Sequence, residues 1–345
     1  MTLQSQHFGK AGTTVRFNRF PYNCYFRFGL SLNGSFQKSD GIYCYLAVPL
    51  RKFVPGIPKK REKTLSKKKL SALKKRHHTD FAVITGAAGG LGQAFANELA
   101  KKKINTILID LPGKGLPEFC HYIKEKYQTQ SVIFETDLTK IKNLLSLTER
   151  INKEFEIFLL INNAGIGGTK KFDEANIDYL NNIIHLNVVA TTILTRQLLP
   201  NLKKRKKSYI LNVASMAAFS PMGFKTVYPA SKVFVYYFSR GLNQELKGTN
   251  VSVSVVSPGP MRTNKEVTRR IDSTRNFFGK IGVMTPCNVA KISIRKMFKG
   301  KSSILLNKAN IFNWILMKIV PADIKIYLIT RVAFKEILAE LKTKK

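Results

Sequence analysis

One turn constrains this chain more than any other feature. Thr85-Gly-Ala-Ala-Gly-Gly-Leu-Gly92 lies between an apolar run, Phe81-Ala-Val-Ile-Thr85, and a pattern that puts Leu91, Ala94, Phe95 and Leu99 on one helical face. A short apolar run ended by glycines predicts a buried strand, and the spacing after it predicts an amphipathic helix. Glycines at such a turn let the backbone fold tightly and let a pyrophosphate approach unobstructed. The helix behind them offers unpaired N–H groups and a partial positive charge. A plain glycine-rich turn has the same composition. Its place directly after a strand is what marks Thr85, Gly86, Gly89, Gly90, Leu91 and Gly92 as candidate phosphate-binding residues.

The same alternation continues. Strands are expected at Thr106–Asp110, Ser131–Phe134, Ile157–Ile161, Tyr209–Val213 and Val251–Val256. Helices are expected to about Tyr127, over Ile141–Phe155 and Ile177–Lys203, to about Leu246, and over Cys287–Phe298, with a short run Ser303–Leu306 at the end. Strands alternating with helices predict an α/β fold of Rossmann type: a doubly wound parallel sheet in three layers. No internal repeat is visible. Three regions follow: a basic N-terminal extension over 1–79, expected to be poorly ordered; the Rossmann-type domain over 80–309; and an amphipathic helical segment over 310–345.

Charge narrows the partners without choosing one. Lys and Arg number 58 against 21 Asp and Glu, a formal net charge of +37. That favours anionic surfaces or substrates. The densest run, Lys59 to Arg76 with Glu62 as its acid, reads as a solvated segment. Arg16, Arg19 and Arg27, with no acid before Asp40, loosely match a targeting presequence, so organelle targeting stays open beside a cytoplasmic location. Cys24, Cys44, Cys120 and Cys287 have no metal-ligand spacing, and neither do the five histidines, so no metal is expected and a reducing compartment is. No apolar stretch reaches the roughly 18 residues of a membrane span, and none is expected.

Two further sites carry chemistry. Asp110 ends the second strand, where a carboxylate can accept from both ribose hydroxyls and would repel a 2′-phosphate. With no arginine at the Gly89 position, this favours NAD(H) over NADP(H); a strand-end Asp opening a turn before Pro112 is the plainer reading. Tyr228-Pro-Ala-Ser-Lys232 places Tyr and Lys at i, i+4, on one helical face. A nearby ammonium is expected to lower the phenol pKa toward usable proton transfer. Pro229 leaves two settings open, a helix that begins later or one that bends.

Together these motifs resemble the short-chain dehydrogenase/reductase superfamily in its single-domain form, closely over about 80–265 and loosely beyond. Thr85, Gly86, Gly90 and Gly92 match its TGxxxGxG pattern. Asp137, followed by Leu138, matches its adenine-contacting acid; Asn162-Asn163-Ala164-Gly165 matches NNAG; and Pro258-Gly259, with Thr263 beyond, matches the motif that contacts the nicotinamide side. Asn187, Ser215, Tyr228 and Lys232 match its catalytic set. The resemblance implies hydride transfer between a nicotinamide and a carbonyl or secondary alcohol, acyl or lipid-like in some members. Tyr228 would move the proton, and Ser215 would hold the substrate oxygen. Lys232 would tune Tyr228 and bind the nicotinamide ribose, and Asn187 would link Lys232 to water. A homo-oligomer, through the long helices before and at the active site, is also implied.

Two segments bear on substrate and location. Residues 260–285, in the family a lid, carry Arg262, Lys265, Arg269, Arg270 and Arg275, which read as solvated charge or as attraction for a carrier- or coenzyme-linked acyl chain. From Asn310 apolar clusters alternate with Lys318, Lys325, Arg331 and Lys335, the pattern of a helix packed on its own domain or lying on a membrane surface. Beside the enzyme reading stand two others. One is a silent cofactor-binding scaffold, which degenerate catalytic positions would favour. The other is a nucleic-acid or membrane-surface binder using the basic extension, with nucleic acid the less expected partner.

Overall fold

The computed structural model describes residues 5–6, 13–16, 25–28, 80–262 and 282–343. The chain divides into two units, Met1–Glu62 and Lys63–Lys345. In the first, β1 (Ser5–Gln6), β2 (Thr13–Arg16) and β3 (Tyr25–Phe28) form an antiparallel sheet in that order. The sequence reading assigns no element there. The signal is short but present: Thr13-Thr-Val is β-branched and Tyr25-Phe-Arg-Phe aromatic, the types that suit a pleated surface.

The second unit holds a seven-stranded sheet. Its strands are β4 (Phe81–Thr85), β5 (Asn105–Asp110), β6 (Ser131–Glu135), β7 (Ile157–Asn162), β8 (Ser208–Val213), β9 (Val251–Val256) and β10 (Ser303–Ile304). They lie in the order β10-β9-β8-β7-β4-β5-β6, and every neighbouring pair is parallel. The expected Rossmann-type sheet is therefore present, with each strand within a residue or two of its predicted bounds. Every residue of β4, β7 and β8 is buried, as a sheet covered on both faces requires.

The helices are α1 (Gly90–Ala100), α2 (Leu116–Tyr127), α3 (Ile141–Glu154), α4 (Ile177–Ile184), α5 (Thr191–Lys203), α6 (Val227–Glu245), α7 (Pro286–Phe298), α8 (Lys308–Ile319) and α9 (Ala322–Thr343). Strand periodicity sorts the core into two layers. Ala82, Ile84, Leu108 and Leu159 pack with Phe95 and Leu99 of α1 and Ile294 of α7. The intervening Val83, Ile107, Leu160 and Ile210 pack with Leu144 of α3 and Leu194 and Leu198 of α5. Alternate side chains thus serve opposite faces. Burying a side chain such as Phe95 contributes about 2–3 kcal/mol.

The strand order reverses between β4 and β7, the neighbours of the sheet centre. The loops after these two strands diverge there and leave a crevice at their carboxyl ends, where ligands bind in open α/β sheets.

Candidate active site

The crevice is built from main chain. Gly86 has φ +65, and a Cβ on it would stand 2.9 Å from the Ala164 Cα. The Thr85 hydroxyl accepts from the amides of Asn163 and Ala164, both at 3.0 Å. The Asn163 side chain donates back to the carbonyls of Thr85 and Gly86, at 2.9 and 3.1 Å. The glycine turn and the NNAG segment are therefore one interlocked unit. No side chain caps the N-terminus of α1 at Gly89, so its first amides face the turn, and a Cβ on Gly92 would fall 2.0 Å from the Gly86 carbonyl. An uncapped helix end over a cradle that any side chain would fill fits a dinucleotide pyrophosphate.

The other predicted cofactor residues flank this cradle. The Asp110 carboxylate accepts from the amides of Ala88 and Leu111, each at 2.8 Å. It both braces the glycine turn and presents negative charge at the end of β5. One Asp137 oxygen is held by the amide and hydroxyl of Thr139, at 2.9 and 2.7 Å. Leu91 and Leu138 point into the core, which leaves only their backbone to meet a ligand. The Pro258 carbonyl accepts from the Met216 amide at 2.8 Å, tying the Pro258–Gly259 turn to Ser215. Thr263, Lys265, Arg269, Arg270 and Arg275 lie outside the described residues; Arg262 is exposed.

The four predicted catalytic residues converge. Ser215 caps a short 3-10 helix, Met216–Phe219, after β8, its hydroxyl accepting from the Ala217 amide at 3.1 Å, and it lies close enough to the Tyr228 phenol to oppose the rise of that phenol's pKa. Lys232 is 5% exposed; its ammonium donates to the Val213 carbonyl at 3.1 Å and sits 5.8 Å from the Tyr228 ring centre. Pro229 occupies the first turn of α6, where its missing N–H costs no helical bond, so α6 does not start late to admit it.

Two expectations change. The predicted helix 177–203 breaks at a π-helical stretch, His185–Ala190, which carries Asn187; such bulges accompany functional sites. The Asn187 side chain accepts from the Ile166 amide and uses both amide hydrogens, donating to the Ile166 carbonyl and the Ser231 hydroxyl, all at 2.9 Å. In the chain alone Lys232 does not lower the Tyr228 pKa. Burial pushes the phenol up, with the neighbouring Ser215 hydroxyl opposing, and burial brings Lys232 itself down to about 8. Desolvation outweighs the attraction because the ammonium turns toward Val213.

Three contributions were missed. Ser231 bridges Asn187 to the Tyr228 carbonyl, to which it donates at 2.7 Å. Gly167 lies flat on Tyr228, and a Cβ there would stand 2.5 Å from the ring Cδ2. Asn162 and Asn212, paired in register, hydrogen-bond at 2.8 Å and reach Thr195 on α5 and Ser239 on α6. The last had a sequence signal: each is a polar residue at or next to the end of an apolar strand, and buried polar groups need partners.

Among the described residues no group of His, Cys, Asp and Glu could hold a metal ion. The fold and the site together define an NAD(P)-dependent oxidoreductase acting on a carbonyl/alcohol pair. The short chain dehydrogenase family matches residues 80–274, and the chain belongs to that family. It is 29% identical over 249 residues to the very-long-chain 3-oxoacyl-CoA reductase-B of Danio rerio, covering 71% of this chain and 77% of the relative. It is 31% identical over 200 residues to the hydroxysteroid dehydrogenase-like protein 1 of Gallus gallus, covering 57% of this chain and 60% of that one. Among solved structures, the bulky-bulky ketone specific alcohol dehydrogenase of Comamonas testosteroni superposes with a TM-score of 0.59 at 25% identity, covering 70% of this chain and 95% of that one.

Proposed function

We propose that this chain transfers hydride between NAD(H) and the carbonyl or secondary alcohol of an acyl or lipid-like substrate. The observation that carries the reaction is the Ser215 hydroxyl close beside the Tyr228 phenol, with buried Lys232 5.8 Å from the centre of the Tyr228 ring. The bound nicotinamide supplies or accepts the hydride. Tyr228 gives a proton to the substrate oxygen in reduction and takes it back in oxidation. Ser215 shares that oxygen and stabilises its developing charge. Lys232, its pKa brought down by burial to about 8, restores the proton on Tyr228. Asn187 and Ser231 fix the distance between the two helices that carry these groups.

The carboxylate of Asp110, already oriented by two amides, supports NAD(H) over NADP(H). Titrating NADH and NADPH into wild-type protein and Asp110→Ala tests this. Tight NADH binding that weakens in the variant agrees with the proposal; a wild-type preference for NADPH rejects the cofactor assignment, and no binding of either rejects the enzyme. The relatives' names support the substrate class, which a panel of 3-oxoacyl thioesters and steroid ketones would check, with Tyr228→Phe as control.

Two partners belong to the same reading. Exposed Ile177 and Ile184 on α4, with Phe234 and Tyr237 on α6, support self-association through these helices; sedimentation would show a dimer or tetramer. No helix among the described residues is long and apolar enough to cross a membrane. On α8 and α9, however, Phe312, Ile315, Ile319, Ile324, Tyr327 and Leu328 are exposed, among Lys318, Lys325 and Arg331. An apolar stripe edged by basic residues supports peripheral docking on an anionic bilayer from the cytoplasmic side. Co-sedimentation with phosphatidylserine vesicles that is lost in Ile319→Ser/Leu328→Ser is the expected result; binding unchanged in the variant sinks the assignment.

A further inference from the structure

Asn310, in the first turn of α8, is 1% exposed, and neither its Nδ2 nor its Oδ1 has a hydrogen-bond partner among the described residues. Its backbone amide is used, donating to Asn307 Oδ1 at 2.8 Å; the side chain is not. An amide buried in this way loses its water and gains nothing in exchange, so it weakens the fold in this state.

Its surroundings say what it faces. A Cβ on Gly259 would stand 2.8 Å from Asn310 Oδ1, and one on Gly282, which has φ +79, would stand 2.3 Å away. The amide is thus seated against the bare backbone of two chain segments, 258–262 and 282–284. These are joined side by side: the Met284 amide donates to the Pro260 carbonyl at 3.2 Å, and the Arg262 amide to the Met284 carbonyl at 3.4 Å. The first segment is anchored at Pro258 to Met216, next to Ser215.

A second observation lies one helical turn on. Trp314 is on the same face of α8, and its buried Nε1 also lacks a partner. Its ring meets Phe219, at the end of the 3-10 helix that Ser215 caps, edge-on at 6.4 Å between centres. One face of α8 therefore carries three unused polar atoms: the two of Asn310, against the two segments that frame the catalytic end of the crevice, and the Trp314 Nε1, on the ring that meets Phe219 beside them.

We propose that Asn310 is a positioning residue for the nicotinamide end of the dinucleotide. Its amide takes up main-chain hydrogen bonds from the Pro258–Arg262 turn when that end of the cofactor is seated, and so fixes the turn against it. The stability forgone in the free chain is the counterpart of a better-defined bound state.

The test separates the two ends of the cofactor. ADP-ribose carries the pyrophosphate and adenosine but no nicotinamide, and the chain's one tryptophan, Trp314, reports binding by its emission. Asn310→Leu keeps nearly the same shape without polar atoms. The expected result is a melting temperature at or above wild type, ADP-ribose affinity within about twofold, and NADH affinity weaker by roughly tenfold, the size of one lost net hydrogen bond. Unchanged NADH affinity would overturn the proposal. So would equal weakening of both ligands in Asn310→Ala, the variant to measure if the leucine destabilises the chain. Loss of ADP-ribose binding by the wild type would instead fault the cofactor site itself.

Discussion

Around Thr85 the polar groups are spent on one another; around Asn310 they are not. The Thr85 hydroxyl serves two amides and Asn163 serves two carbonyls, so the turn that would cradle a pyrophosphate is held in shape before any ligand arrives. On α8, Asn310 and Trp314 keep buried polar atoms without partners, and the outer surfaces of α8 and α9 keep large apolar side chains in water. A pyrophosphate is the same group in every dinucleotide, so its site can be rigid. The catalytic end must admit a substrate, and the comparison assigns generic binding to the first region and selectivity to the second.

The largest expected effect divides chemistry from binding. Tyr228→Phe removes the proton donor but keeps the ring that lies on Gly167. Turnover of the best substrate in the panel should fall on the order of a thousandfold, with NADH affinity within twofold. A variant that retains a tenth of wild-type turnover would remove Tyr228 from the mechanism. Gly167→Ala comes next. Its Cβ would enter the Tyr228 ring at 2.5 Å, so the ring must move. A displacement near an ångström costs about a hundredfold in kcat, again without loss at the Thr85 end. If ADP-ribose affinity falls in step with kcat, the two ends are coupled, and the comparison fails.

These residues show how far the sequence can be read. The Thr85–Gly92 turn, NNAG, Ser215, Tyr228 and Lys232 were legible because each has a fixed spacing from a strongly patterned element, and all of them meet in the crevice. The strands were legible because a buried parallel sheet is written as unbroken apolar runs. Ser231 and Gly167 were not legible, because their roles depend on what a separate segment places against them. The π-helical stretch at Asn187 leaves no mark in a pattern of period 3.6. Nor does composition tell that the tail would use Thr330, Ala333 and Phe334 to pack, with Thr330 accepting from the Gly223 amide at 3.0 Å and Phe334 meeting Phe224 at 5.4 Å, while its other face stays in water. The sign of the Tyr228 shift was misjudged because i, i+4 spacing says nothing of burial.

Lys232 offers an intermediate effect, with a distinctive pH dependence. Its pKa is near 10.5 unfolded and about 8 folded, lowered by burial. Above pH 10.5 the amine is neutral in both states and costs nothing. As pH falls from 10.5 toward 8 the unfolded chain takes up the proton first, and the folded state loses stability. Below 8 the penalty is constant, on the order of 3 kcal/mol. Lys232→Met should therefore raise the melting temperature of the free chain at pH 7, and the gain should shrink between pH 8 and 10.5. A gain that does not vary with pH would mean that packing, not charge, separates the two proteins.

The smallest effect compares the two regions directly. Thr85→Val keeps the shape of the side chain and leaves the amides of Asn163 and Ala164 without their acceptor, a loss of about 2 kcal/mol for buried groups stranded in this way. Asn310→Leu also replaces a polar side chain by an apolar one of similar shape, yet strands no partner, because none was engaged. Urea unfolding of the free chains should then show Thr85→Val less stable than wild type and Asn310→Leu at least as stable. Nucleotide titrations should show the reverse distribution of specificity: Thr85→Val weakens ADP-ribose and NADH together, since the distorted turn is common to both, whereas Asn310→Leu weakens NADH alone. Equal destabilisation by the two substitutions would mean that the Asn310 amide is as well satisfied as the Thr85 hydroxyl, and that α8 is fixed in the same way as the turn.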